Sequence, residues 1–338
     1  DTPTNDNCNF STHTTMILLA CVEGGGTSFV VAVARAAPNE DVPEILHQLE
    51  VDSSHDRPSD TLTACADFFR QHKPEQGYHA LGVASFGPVG LEKGSEQYGC
   101  ILSTSPKVSW RNVDLLSPLK AACEGTIPLA VEIETDVNAP ALAEYRLVSD
   151  KLSSVAYITV GTGVGVGLCI HGKPVHGRMH PEGGHVPVQP LHDDDDFKGY
   201  SWGAKCPFKG VRTVEGLASS VALTEMLQKR CGVTSLPRSC LSELQDDDEI
   251  WLHAANAIAN LCTTLLLVTS VEKIVIGGGI MKRNGLLEKI QNRTIELVNG
   301  YLSLPTQNMS ELITKSTYGD NVGLVGALVL AKHAHEEM

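Results

Sequence analysis

The chain has 338 residues, 42% of them hydrophobic and 20% charged, with a net charge of −14. This is the composition of a globular protein with enough chain for two sizeable cores. The acidic balance, without any basic stripe, argues against a nucleic-acid partner, and no apolar run reaches the ~20 residues that would span a bilayer.

Residues 1–15 are polar and are expected to be a disordered tail, possible remnant of a longer precursor. Met16–Cys21 and Phe29–Ala34 read as a hairpin around the turn Gly24-Gly25-Gly26-Thr27. Thr61–His72 has helical spacing of Leu62, Ala66 and Phe69. Tyr78–Ser85 is a short apolar strand that stops at Phe86-Gly87-Pro88. Leu115–Cys123 reads as a helix, Leu129–Glu134 as a strand running into Thr135-Asp136-Val137-Asn138, and Ala139–Val148 as a helix. Val155–Thr159 leads into Gly161-Thr162-Gly163 and a second hairpin. Gly199–Thr213 is loop-like. Val214–Lys229 and Glu249–Thr269 follow helical periods, and the apolar stretch near Leu261–Val268 reads as a buried helix. Lys273–Ile276 is a buried strand closed by Gly277-Gly278-Gly279, and Leu286–Leu297 and Gly323–Ala334 read as helices.

Alternation of this kind predicts an α/β fold with largely parallel sheets. The two hairpin-led units, from Met16 and from Val155, hint at an internal duplication. Ten cysteines are scattered without a Cys-x-x-Cys pair, and Cys21, Cys169 and Cys262 lie in apolar runs. They read as reduced thiols of a cytoplasmic protein. Asn-x-Ser/Thr triplets at Asn9, Asn292 and Asn308 are treated as chance matches.

Two strand–glycine turn–strand units point to a phosphate gripped from two sides, because bare backbone N–H groups can approach an anion closely. Asp136, between a strand end and a helix start, can accept a proton from a substrate hydroxyl. It can equally be a helix N-cap. Glu182 and His185 stand close together in His180-Pro181-Glu182-Gly183-Gly184-His185, either binding hydroxyls or forming a solvated turn. Glu215 opens a helix, where a carboxylate is favourable in any case. The run Asp193–Asp196 lacks cation-ligand spacing and reads as a solvated acidic loop.

In this order, the motifs resemble the ROK family of sugar kinases, within the hexokinase–actin ATPase superfamily, and most closely its fructokinase branch. Glu23-Gly24-Gly25-Gly26-Thr27-Ser28-Phe29 stands for the branch's phosphate turn, with Ser28 for its usual lysine. Ala84–Val89, Thr104-Ser105-Pro106-Lys107 with Trp110, Thr135–Ala139, Glu182-Gly183-Gly184-His185 and Ile276–Gly279 follow. The resemblance implies a two-lobed actin-like ATPase (ribonuclease H-like) fold with a ligand cleft between the lobes. Residues 16–128 would form one lobe, with the helix 323–334 packing back on it, and residues 129–322 the other. Asp136 would be the catalytic base. Gly24, Gly25, Gly26, Thr27, Gly161, Thr162 and Gly163 would hold ATP phosphates, and Gly277, Gly278 and Gly279 would border the adenosine. Gly87, Thr135, Glu182 and Glu215 would bind the sugar, and Mg²⁺ would arrive with ATP.

The likeness predicts phosphorylation of fructose at its 6-hydroxyl by a homodimer. Glucokinase, mannokinase and N-acetylhexosamine kinase are the alternatives within the family, with Thr135 favouring fructose over glucose. A sugar-responsive regulator is the alternative outside catalysis, disfavoured by the short polar lead before the first strand and by the negative charge. One departure matters. Of the family's four zinc ligands only His185 and Cys206 remain, Lys209 replaces a histidine and Thr213 stands near the last cysteine position. An ammonium has no lone pair and two ligands do not close a tetrahedral site, so structural zinc is expected to be absent unless His180 or His192 substitutes.

Overall fold

The computed structural model describes residues 16–37, 40, 42–53, 57–192, 199 and 212–338. The expected tail, the Asp193–Asp196 run, Cys206 and Lys209 lie outside the described residues. The first half opens with the hairpin β1 (Ile17–Gly24) and β2 (Ser28–Ala36), then β3 (Glu44–Asp52), α1 (Pro58–His72), β4 (Ala80–Ser85), α2 (Leu116–Cys123), β5 (Ala130–Thr135) and α3 (Asn138–Arg146). The second half repeats the plan. It has β6 (Ser154–Val160), β7 (Val164–Ile170), the two-residue β8 (Lys173–Pro174), α4 (Val214–Ala218), α5 (Ser220–Cys231), α6 (Cys240–Glu243), α7 (Ile250–Thr269), β9 (Lys273–Gly277), α8 (Leu286–Val298), β10 (Ile313–Lys315) and α9 (Val322–Glu336).

The strand orders are β3-β2-β1-β4-β5 and β8-β7-β6-β9-β10. These are one topology used twice, the duplication hinted at by the two hairpins. Both sheets are mixed rather than largely parallel. The meander β1-β2-β3 is antiparallel while β1-β4-β5 is parallel, and β6-β7-β8 against β6-β9-β10 does the same. The glycine turns impose this, because a tight turn can only return a strand antiparallel to its neighbour. The parallel ladder from β4 also draws β5 into the first sheet. That strand lies beyond residue 128, where the first lobe was expected to end.

Central strands are buried on both faces, which explains their unbroken apolar runs. Ala20, Val22, Leu81 and Val83 pack under α1 and α2. Leu19, Cys21, Ala80 and Ala84 face a middle layer formed by α9 and α3, which also covers Val155, Tyr157 and Val275 of the second sheet. Ile158, Ile274 and Ile276 face α7 and α8. The helix ending each half therefore serves the opposite sheet. α3 packs on β6 and β7, while α9 packs on β1, β4 and β5, and the two helices touch.

The expected helix Val214–Lys229 is two helices. Ser219 is extended, with φ −67° and ψ 155°, and its hydroxyl caps α5 by accepting from the Ala222 N–H. α7 has 20 residues, as the helical period over Glu249–Thr269 led one to expect, and is, by length and composition alone, apolar enough to cross a membrane, although the apolar run read from sequence covered only Leu261–Val268. Most of it is core: Ile258, Leu261 and Cys262 are fully buried. β3 escaped sequence reading because it is exposed along nearly its whole length and shows no burial alternation.

α9 lies directly on Gly82 of β4, where a Cβ would stand 2.1 Å from the Ala327 carbonyl oxygen and 2.6 Å from the Ala331 nitrogen. Gly82→Ala is expected to lower the unfolding free energy by roughly 1–3 kcal/mol, as overpacking does. Gly177→Ala, at a site with open space around it, should stay within about 0.5 kcal/mol of wild type in the same urea titration.

Candidate active site

Residues just past the carboxyl ends of β1, β4, β5, β6 and β9 border one cavity of about 1330 Å³, where α/β sheets place ligands. The turns Gly25-Gly26-Thr27, Gly161-Thr162-Gly163 and Gly278-Gly279 all line it. The first turn is closed by the Gly25 N–H donating to Ser28 O at 2.9 Å, and the second by Gly161 N–H to Gly163 O at 2.9 Å. Gly278 takes φ +93°, which only glycine adopts without strain. A second cavity, of about 630 Å³, adjoins it and is lined by Gly87, Thr135, Asp136, His180, Glu182, His185 and Glu215 with the apolar Val108, Val164, Val166 and Met179. Asp136, Gly87 and Glu215 border both cavities.

Asp136 does not cap α3. The Thr135 hydroxyl accepts from the Asn138 N–H at 3.0 Å and takes that role, while the Asp136 N–H donates to Ser85 O at 2.8 Å, extending the β4–β5 ladder by one residue. The carboxylate is left facing the seam between the cavities. Burial raises its pKa to about 6, against the opposing pull of the Lys107 ammonium and its own backbone N–H. Asn138, fully buried, latches α3 to the second sheet by accepting from the Leu168 N–H at 3.1 Å.

Glu215 is held at the start of α4, where the Thr213 hydroxyl accepts from the Gly216 N–H, and its Oε2 accepts from the Val164 N–H at 2.9 Å. Glu182 is raised to about 7, first by desolvation and then by Glu215 and Asp136, although its side chain keeps 41% exposure at the cavity mouth. His185 Nε2 lies 3.8 Å from Glu182 Oε2 and His180 Nδ1 lies 3.5 Å from Glu182 Oε1. Carboxylates around a small cavity accept hydrogen bonds when ionised, and Glu182, raised to about 7, can also donate when protonated, which suits an uncharged ligand rich in hydroxyls.

Sequence reasoning singled out neither Lys107, Glu23 nor Arg238 for a role. Lys107 and Glu23 border the larger cavity with Arg238, whose Nη1 donates to Thr162 Oγ1 at 3.0 Å. Glu23 is raised to about 7 by burial, then by Asp136, while the Leu324 N–H at the start of α9 opposes the rise. Lys107 and Glu23 carried a local signal, their places in Thr104-Ser105-Pro106-Lys107 and in the motif that opens Glu23-Gly24-Gly25. Arg238 reaches the cavity through tertiary contacts. Two expected ligand-side glycines stand behind the wall. Gly24 packs on the Phe29 ring and Ser85, and Gly277 on Tyr157, where a Cβ would be 2.4 Å from its hydroxyl. His192 pairs with Glu249 at 3.6 Å, and among the described residues no group of three or more His, Cys, Asp or Glu side chains has the arrangement of a metal site.

A duplicated sheet whose strand ends enclose a two-chambered cleft defines a class, the actin-like ATPase fold. The solved ROK-family glucokinase from Streptomyces griseus, in complex with glucose and AMPPNP, shares it with a TM-score of 0.70 at 22% identity, covering 94% of this chain and 99% of that one. The protein belongs to the ROK family, whose profile matches residues 19–334. It is 36% identical over 329 residues to the fructokinase of Zymomonas mobilis, covering 95% of this chain and 98% of that protein. Over 319 residues it is 32% identical to the fructokinase of Pediococcus pentosaceus, covering 94% and 99%.

Thr135→Ala leaves the buried Asn138 N–H without its acceptor and is expected to cost about 1–3 kcal/mol of stability. Thr135→Ser keeps the oxygen and should unfold near the wild-type urea midpoint.

Proposed function

We propose that the protein transfers the terminal phosphoryl group of ATP to the 6-hydroxyl of D-fructose. The observation that carries this reading is that Asp136 borders both cavities, so one carboxylate reaches a hydroxyl in the smaller and a phosphoryl group in the larger. Fructose is the preferred hexose because both sequence relatives above are fructokinases. The two lobes would be built on the two sheets, with β5 assigned to the first and α9 returning to it, and their approach would exclude the water that competes as phosphoryl acceptor.

In this mechanism Glu182, Glu215 and Thr135 hold sugar hydroxyls, with Gly87 at the junction. The 6-oxygen attacks the γ-phosphorus while its proton passes to Asp136. The new P–O bond forms as the bond to the β,γ-bridging oxygen breaks, and that electron pair leaves on ADP. Gly25-Gly26-Thr27 and Gly161-Thr162-Gly163 present backbone N–H groups to the phosphates, and Gly278 and Gly279 border the adenosine side. Glu23, a carboxylate on the larger cavity, is the hard oxygen donor that would hold Mg²⁺ arriving with ATP, which when bound neutralises phosphate charge. The donor set for zinc does not fit. Lysine at 209 supplies no lone pair, and His185 with Cys206 is too few for a tetrahedral site.

Asp136→Ala is expected to reduce fructose-dependent ADP release by at least about 10³-fold with the fold intact by circular dichroism; turnover within tenfold of wild type would contradict the assignment. A base must be ionised, so with Asp136 at about 6, kcat/KM should fall tenfold per unit below that pH and level off above it. A pH series in coupled assay reads this directly. In the same assay, a zinc-selective chelator should leave activity unchanged at saturating Mg²⁺.

A further inference from the structure

Lys107 is a partly buried cation on the larger cavity. Its ammonium lies 3.6 Å from the centroid of the Phe86 ring and 5.9 Å from that of Trp110. Those rings form a rigid platform, with Phe86 edge-on to Trp110 at 5.4 Å and Trp110 stacked on Phe29 at 5.2 Å. The ammonium donates at long range to two neutral oxygens, Gly25 O at 3.3 Å and Ser53 Oγ at 3.5 Å. Among the described residues no carboxylate lies within ion-pair distance of it. Burial pushes its pKa down to about 8, with Asp136 the one charge pulling it back up.

A partly desolvated cation with only neutral, stretched acceptors is an unfavourable arrangement in isolation. An anion in the cavity would relieve it. Lys107 lines the larger cavity only, beside the Gly25 turn and across from Asp136 at the seam. It stands on the nucleotide side of the place where the phosphoryl group changes hands. Ammonium groups bind phosphate as compact point charges.

We propose that Lys107 binds the terminal phosphoryl group of the nucleotide and stabilises the charge on it during transfer to the sugar. This rests on the kinase reading above. The ammonium exchanges its contacts with Gly25 O and Ser53 Oγ for phosphoryl oxygens. It keeps its proton throughout, since the sugar's proton goes to Asp136 and the electron pair of the broken bond stays with ADP. Lys107 therefore distinguishes a triphosphate from a diphosphate, whereas a lysine that merely straps the Gly25 turn to the following loop would not.

The test compares wild type, Lys107→Met and Ser53→Ala by calorimetric titration with Mg-AMPPNP and Mg-ADP, and by steady-state kinetics. Lys107→Met should lose about tenfold or more in AMPPNP affinity while ADP affinity stays within about threefold, and kcat should fall about 10²–10³-fold with KM for fructose nearly unchanged. Ser53→Ala, which removes one strap contact, should keep the preference for the triphosphate. Equal losses for AMPPNP and ADP in Lys107→Met, or unchanged AMPPNP affinity, would overturn the proposal. Failure of the kinase reading shows separately, as wild-type protein that binds nucleotide but releases no ADP with any hexose.

Discussion

The cleft depends on which side chain caps α3. Val137, at the N-cap position, has no side-chain cap bond, so Thr135 and Asp136 just before it are the side chains that can satisfy the Asn138 N–H. The threonine does so, and the ladder bond from the Asp136 N–H to Ser85 O fixes the aspartate's backbone at the sheet end. The carboxylate is therefore committed to the cavity seam rather than to its own helix. Burial there raises its pKa to about 6, which keeps it ionised near neutral pH yet basic enough to take a hydroxyl proton.

Duplication gives the seam its two sides. Each half carries a glycine turn after its first strand, a second turn after its fourth, and a helix after its fifth that packs on the other half's sheet. The exchange of α3 and α9 builds a shared middle layer, with Leu324 and Leu328 of α9 and Ala139 and Leu142 of α3 in a single core. Corresponding strand ends are thereby brought to a common cleft. The glycine turns that line the larger cavity come from both halves, whereas Asp136 comes from the first and Glu182 and Glu215 from the second. No single half encloses the cleft.

Much of this was legible in the sequence where burial is two-sided. Continuous apolar runs ending at glycines located β4, β6 and β9 to within about two residues and β1 to within three, and the same glycines located the cleft. What escaped lacks a local pattern. β3 is exposed on both faces, so nothing alternates. The break at Ser219 is a cap that resembles any helical serine until its extended backbone is known. Asp136 carried two readings of similar local merit, and only the position of the Thr135 hydroxyl separates them. Gly24 and Gly277 belong to the right turns but lie one residue behind the cavity wall, a distinction set by strand register. Arg238 joins the site from a distant element, which chain order cannot reveal.

The most direct measurement is a crystal structure of the complex with D-fructose and a non-hydrolysable ATP analogue. The account predicts the sugar in the smaller cavity with its 6-hydroxyl within about 2.6–3.2 Å of an Asp136 carboxylate oxygen. The γ-phosphorus should lie in line at about 3–3.5 Å from that hydroxyl. A complex with sugar and nucleotide both bound in the cleft, yet with the Asp136 carboxylate turned from the hydroxyl toward α3, would contradict it.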